Sequence, residues 1–139
     1  MSDEYIDPSR ETFLELKALP QEHPVDMLNL VRLRERAAYK DGRDLSGRAA
    51  YAEYGRASQP VFRRVGGEII WSAEPQFIVI GPRDELWDVA FVARYPSGQA
   101  FLDMVYDPEY RAIVHHRQAA VSNSRLVRMR KKEAGPGFA

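Results

Sequence analysis

The chain has 139 residues, the size of one ordinary domain with a core of its own. Its 20 basic residues balance 20 acidic ones, so net charge predicts attraction to neither nucleic acid nor an anionic membrane. Because cysteine is absent, disulfides, thiolate nucleophiles and cysteine-bound metals are excluded. With no apolar run long enough to cross a bilayer and no signal-peptide pattern, we expect a cytoplasmic protein that binds neither nucleic acid nor membrane.

Residues 1–24 read as an N-terminal helical extension. Ser9 is a suitable N-cap, and Pro20 would end the helix that follows it. The apolar face of this helix comprises Phe13, Leu14, Leu16 and Leu19. We expect the helix to dock on the domain or on a partner subunit.

The main domain is predicted to span residues 25–131, and residues 132–139 form a loose tail. A first strand over 25–34 is apolar on both faces, and a polar loop over 35–47 leads into a helix over 48–64. Gly66 and Gly67 stop that helix. A second strand begins with GEIIW and is expected to continue through QFIVIG, with a bulge around Pro75.

The second half of the domain repeats the strand-then-helix pattern. Alternation over 86–95 predicts a strand, and Ser97 can cap the helix that follows. Asp107 and Pro108 signal a further helix, reaching to about Val121. SRLVRMRK, residues 124–131, then forms the last strand.

This order of elements predicts an α+β protein with the ferredoxin-like βαββαβ fold, in which two helices cover one face of a four-stranded antiparallel sheet. The N-terminal helix is additional to that fold. Because several strands are apolar on both sides, the uncovered sheet face should be buried by a second copy of the chain. We therefore expect a homodimer.

Arg117 is the strongest functional candidate, since it lies on the apolar stripe of the last helical region, one helical repeat beyond Tyr110. A buried guanidinium needs either a carboxylate or an anionic ligand. An internal ion pair, with Asp88 as the candidate partner, is the favoured interpretation. Binding the anionic group of a ligand is the alternative.

The histidines do not suggest a metal site. His115 and His116 are adjacent and leave a helix about 100° apart, so they cannot chelate one ion together. His116 borders the apolar stripe and is a candidate acid or base, although a structural role is favoured. Tyr54 is a second candidate for moving a proton. No metal and no cofactor are predicted.

The remaining candidates are polar or aromatic side chains that can line a cavity. Asp88 lies on the mixed face of its strand and can either face a cavity or pair across a dimer interface. Trp71 and Tyr110 can wall an aromatic substrate, although aromatic residues at such spacings more commonly belong to the core.

Several short motifs in order, covering roughly residues 25–131, resemble the domain-of-unknown-function 1330 family. They are the Gly-Gly strand start, the Trp-Asp opening of a strand, the Pro-Ser turn, and Pro-Glu-Tyr before an Arg-containing helix. The matching positions are Gly66, Gly67, Trp87, Asp88, Tyr95, Pro96, Ser97, Pro108, Glu109, Tyr110 and Arg117. The resemblance implies a dimeric α/β-barrel fold, shared with cofactor-free monooxygenases, muconolactone isomerases and haem-handling proteins. It implies no particular reaction.

Two classes of function remain open. In the first, a pocket between sheet and helices binds a small organic acid or aromatic molecule, with Arg117, Tyr110, Asp88 and Trp71 as contacts and His116 or Tyr54 as proton carriers. If such a protein is an enzyme, we expect a cofactor-independent oxygenase or isomerase. In the second, the protein is a non-catalytic dimeric scaffold or interaction module.

Overall fold

The computed structural model describes residues 4–138. Within that range the chain forms five helices and four strands: α1 Arg10–Ala18, β1 Val25–Leu33, α2 Gly47–Arg64, β2 Glu68–Ala73, β3 Val89–Tyr95, α3 Gly98–Tyr106, α4 Pro108–Ile113, α5 His115–Ala120 and β4 Val121–Met129. The four strands form one sheet in the order β2-β3-β1-β4, with every neighbouring pair antiparallel. The predicted ferredoxin-like fold is confirmed.

Side chains cap the helices where the sequence predicted them to begin. Ser9 accepts a hydrogen bond from the backbone N–H of Thr12, and Ser97 accepts one from Ala100. Asp107 in turn accepts from the N–H of Glu109, with Pro108 in the first turn of α4. At the end of α2, Gly66 adopts a φ of 87°, which glycine reaches without steric cost.

One face of the sheet carries the helices and the core. Met27 on β1 and Ala93 on β3 are opposite each other in the register, and both are buried. Val61 of α2 and Met104 of α3 belong to the same cluster. A second cluster joins Val31, Ala37, Tyr39, Ala50, Ala119, Ala120 and Val121. The long 34–46 loop is therefore part of the core.

The opposite face of the sheet is also apolar. Leu28 is paired with Val92 on one side and with Val127 on the other, and Trp71 is paired with Val92. Trp71 is 50% exposed and Val127 is 46% exposed. The salt bridge of Asp26 with Arg94 lies on this face as well, since these two residues are paired in the register next to Leu28 and Val92.

The second strand is shorter than predicted. Ala73 is its last residue, so QFIVIG lies outside the sheet, and Phe77, Val79 and Ile80 are 69%, 84% and 95% exposed. The partner strand explains this end point, because Ala73 is paired with Ala90 and β3 begins only one residue earlier. The predicted continuation of the strand is wrong.

Two other boundaries differ from prediction. The single helix expected from 108 to 121 is divided at Val114 into α4 and α5. The last strand begins at Val121, three residues earlier than predicted, because its pairing with β1 extends to Leu33 beyond a register shift. Across residues 4–138, no helix is long and apolar enough to cross a membrane.

Candidate functional site

A cavity of about 1170 Å³ separates the helices from the middle of the sheet. Its floor is built by Asn29, Phe91 and Leu126, which lie side by side on β1, β3 and β4 in the strand register. Leu126 is 45% exposed although it faces the helices. The helices therefore leave the centre of this sheet face uncovered.

Aromatic rings form much of the cavity wall. Tyr51, Tyr54 and Phe62 line it from α2, where their helical spacing places them on one side of the helix. Phe101 of α3 and Tyr110 of α4 also line it. Such a wall suits a flat apolar molecule.

Three tyrosines make a continuous group within this wall. The hydroxyls of Tyr54 and Tyr110 are hydrogen-bonded at 2.8 Å, and their rings meet edge to face. The ring of Tyr51 lies 5.7 Å from that of Tyr54. Burial raises the pKa of Tyr54 well above its ordinary value and raises the pKa of Tyr51 to about 12. Burial raises the pKa of Tyr110 as well, so all three phenols are neutral near neutral pH.

Arg117 lines the same cavity, but its guanidinium is bonded to the N-terminal segment. Its Nη1 donates to the carbonyl of Ile6 at 2.5 Å and lies 3.8 Å from the carboxylate of Asp7. Its Nη2 donates to Oγ of Ser124 at 3.3 Å. The predicted partner Asp88 instead accepts the backbone N–H of Leu33 at 2.7 Å, so the predicted Arg117–Asp88 pair is wrong.

Helix α1 passes across the cavity, and the segments before and after it are hydrogen-bonded to the rest of the domain. Before the helix, Oγ of Ser124 donates to the carbonyl of Tyr5 at 2.6 Å. After it, the N–H of Gly98 donates to the carbonyl of His23, and that of Gln99 to the carbonyl of Gln21, both at 3.2 Å. Helix α1 itself has no buried residue, although Thr12, Phe13 and Leu16 line the cavity.

His116 lies in a different place. It is buried beside the 34–46 loop, where its Nδ1 is 2.7 Å from the hydroxyl of Tyr39, and it is not among the residues that line the cavity. The ring of His115 lies 4.1 Å from that of His116, and the guanidinium of Arg43 lies over Tyr39. Burial lowers the pKa of His116, with the charge of His115 acting in the same direction.

The structure thus brings together three of the six predicted site residues: Tyr54, Tyr110 and Arg117. His116 and the exposed Asp88 lie elsewhere, and Trp71 lies on the opposite face of the sheet. The functional roles proposed for all six remain predictions. Sequence reasoning missed Phe91 and Leu126 as cavity residues, although strand alternation placed Phe91 on the same face as Ala93 and Tyr95.

Within residues 4–138 there is no group of three or more histidine, aspartate or glutamate side chains arranged to hold a metal ion.

The sheet order, with helices on one face and a cavity beneath them, defines a ferredoxin-like α+β protein. Residues 43–130 match the family described as Domain of unknown function (DUF1330). The chain belongs to this family.

Two similar crystal structures come from one protein. The first is the RPA0582 protein of unknown function from Rhodopseudomonas palustris, which is 50% identical over 95% of this chain and 100% of that chain, with a TM-score of 0.91. Methylated RPA0582 is 52% identical over 97% and 98% of the two chains, with a TM-score of 0.90.

A more distant structure is SnoaB, a cofactor-independent oxygenase from Streptomyces nogalater. It is 13% identical over 83% of this chain and 99% of that chain, with a TM-score of 0.54, so the likeness shows the fold alone. No curated protein matches the chain at a significant level.

Proposed function

We propose that the cavity binds a largely apolar, aromatic small molecule. The observation that carries this proposal is the space of about 1170 Å³ walled by Tyr51, Tyr54 and Tyr110 and floored by Phe91 and Leu126. Concave, mainly apolar sites with a few converging polar groups are the usual form of small-molecule sites. An aromatic ligand would cover apolar rings and leave polar contacts to the tyrosine hydroxyls.

An aromatic molecule is favoured over a small organic acid because of what Arg117 contacts. Its guanidinium is already bonded to Ile6 and Ser124 and lies near Asp7. A small acid would have to compete with these groups for the same charge. If the bound molecule is also transformed, Tyr54 is the predicted proton carrier that lies within reach of it, and an oxygenase or isomerase activity would depend on that residue.

We further propose that a second copy of the chain covers the opposite sheet face. Leu28, Leu30 and Val92 form an apolar row there, flanked by the half-exposed Trp71 and Val127. A contiguous apolar patch with half-exposed members is characteristic of interfaces. A twofold dimer would bury the same face of both copies, as self-complementary contacts in homodimers do.

Adjacent substitutions on β4 test both proposals. Leu126 and Val127 are almost equally exposed, but Leu126 faces the cavity and Val127 faces the other way. Each is replaced by glutamate, and the neutral dye N-phenyl-1-naphthylamine is titrated while its fluorescence is followed. Sedimentation velocity gives the oligomeric state of each variant.

We expect Leu126→Glu to weaken dye binding at least tenfold and to leave a dimer, because a carboxylate now lies on the cavity floor. Val127→Glu should give a monomer that still binds dye. If Val127→Glu abolishes dye binding while Leu126→Glu does not, the cavity proposal is wrong and the dye occupies the exposed sheet face. A protein that dimerises but binds no dye would support the scaffold alternative.

A further inference from the structure

The hydroxyl pair of Tyr54 and Tyr110 has an unused donor. A phenol carries one hydroxyl hydrogen, so two phenols carry two, and a hydrogen bond between them consumes one. The two hydroxyls are hydrogen-bonded to each other, and neither has a second hydrogen-bond partner among residues 4–138. One O–H of the pair is therefore not donated to any described group.

The position of the pair determines where that hydrogen can go. Tyr54 is held by α2 and Tyr110 by α4, and both line the cavity, as do Phe62 and Phe101. A purely apolar molecule placed against them would remove the O–H from water and offer no acceptor in return, which is unfavourable. A molecule with a suitably placed oxygen would satisfy it.

The positive charge of Arg117 also favours a ligand with an oxygen beside the pair. The guanidinium of Arg117 lowers the pKa of Tyr51, of Tyr54 and of Tyr110 through its positive charge, which opposes the larger effect of burial. Its field thus reaches all three hydroxyls. The partial negative charge on the carbonyl oxygen of a neutral ligand beside the pair would be stabilised by that field.

We propose that the ligand of this cavity is an aromatic molecule with an exocyclic acceptor oxygen, a ketone or quinone, which accepts a hydrogen bond from the free O–H of the Tyr54–Tyr110 pair. This inference rests on the proposed function and adds the chemical class of the ligand. It makes the tyrosine pair the specificity-determining element of the site.

Two probes that differ mainly in one oxygen test the proposal. Fluorene and 9-fluorenone have the same three-ring skeleton, but only fluorenone has a carbonyl group. Their dissociation constants are measured by displacement of N-phenyl-1-naphthylamine from the wild-type protein and from Tyr54→Phe/Tyr110→Phe. The double variant removes both partners of the bond, so it leaves no unpaired polar group and should fold.

Tyr106→Phe is the matched control, since it also removes a tyrosine hydroxyl, but Tyr106 is exposed and is not among the residues that line the cavity. Urea unfolding verifies that every variant is folded. The carbonyl stretching band of bound fluorenone provides an independent readout, because a hydrogen bond to the oxygen lowers its frequency.

We expect wild type and Tyr106→Phe to bind fluorenone about fivefold more tightly than fluorene, the effect of one net hydrogen bond. The double variant should bind both probes equally and lose the shift of the carbonyl band. Equal binding of the probes by wild type, or a preference that survives in the double variant or disappears in Tyr106→Phe, would overturn the inference but leave the proposed function intact. Failure of wild type to bind either probe or the dye would instead count against the proposed function.

Discussion

Arg117 donates a hydrogen bond to the carbonyl of Ile6, 111 residues earlier in the chain, at 2.5 Å. The same side chain lines the cavity, so the wall of the candidate site also fastens the N-terminal segment that crosses it. Asp7 strengthens this attachment electrostatically at 3.8 Å. We infer that Arg117 has an architectural role in holding α1 over the cavity.

Replacing Arg117 by methionine should loosen the N-terminal segment and leave the rest of the fold in place. Methionine keeps the apolar stem but removes the donors to Ile6 and Ser124. Hydrogen exchange of residues 4–19 should accelerate, and stability should fall by about 1–3 kcal/mol. The control is Arg111→Met, which replaces an exposed arginine on α4. Unchanged exchange in residues 4–19 of Arg117→Met would contradict this role.

Asp26 and Arg94 form a bidentate salt bridge on the face of the sheet opposite the helices. Nε of Arg94 donates to the buried carboxylate at 2.7 Å and Nη2 donates at 3.0 Å. Asp26→Asn should lower the free energy of unfolding by about 1–3 kcal/mol, because the guanidinium loses its counter-charge.

The matched control is Asp44→Asn. Asp44 pairs with Arg36 in a salt bridge whose side chains are 81% and 67% exposed, so its loss should cost less than about 1 kcal/mol. Both variants are compared with wild type by urea unfolding at one protein concentration. Equal effects of the two substitutions would mean that burial adds nothing to the Asp26–Arg94 pair.

Stability should fall as the pH is lowered through about 6.5, and His116 should contribute to that fall. Because burial lowers the pKa of His116 from 6.5, the unfolded chain takes up a proton in this range before the folded chain does. The stabilisation is thus complete above pH 6.5 and is lost as the pH falls toward the folded pKa.

His116→Gln should flatten this part of the profile, since glutamine can still form a hydrogen bond with Tyr39 but does not titrate. His23→Gln is the control, and thermal unfolding is followed between pH 7.5 and 5.5. A profile for His116→Gln that is as steep as that of wild type would assign the pH dependence to other groups.

Much of the fold could be predicted from local patterns. Alternation over Val89–Tyr95 and the caps at Ser97 and Asp107 depend on neighbouring residues, so the sequence shows them directly. The end of β2 at Ala73 could not be found in this way. QFIVIG has a strand-like composition, but the length of its partner β3 decides whether it is paired.

The site was harder to predict because its residues meet only in the tertiary structure. Tyr54 and Tyr110 are 56 residues apart, and no local pattern indicates that their hydroxyls touch. Tyr39 lies in a polar loop, yet it is buried against His116 because the loop packs on α5. The partner of Arg117 lies in an extension whose path depends on contacts at both of its ends.

The central claim is that an aromatic molecule binds between the helices and the sheet. Intermolecular nuclear Overhauser effects from bound N-phenyl-1-naphthylamine test this most directly, because they locate the ligand on one sheet face or the other. We predict contacts to the rings of Phe91 and Tyr54 in the cavity. Contacts confined to Trp71 and Val92, on the opposite face, would contradict the claim.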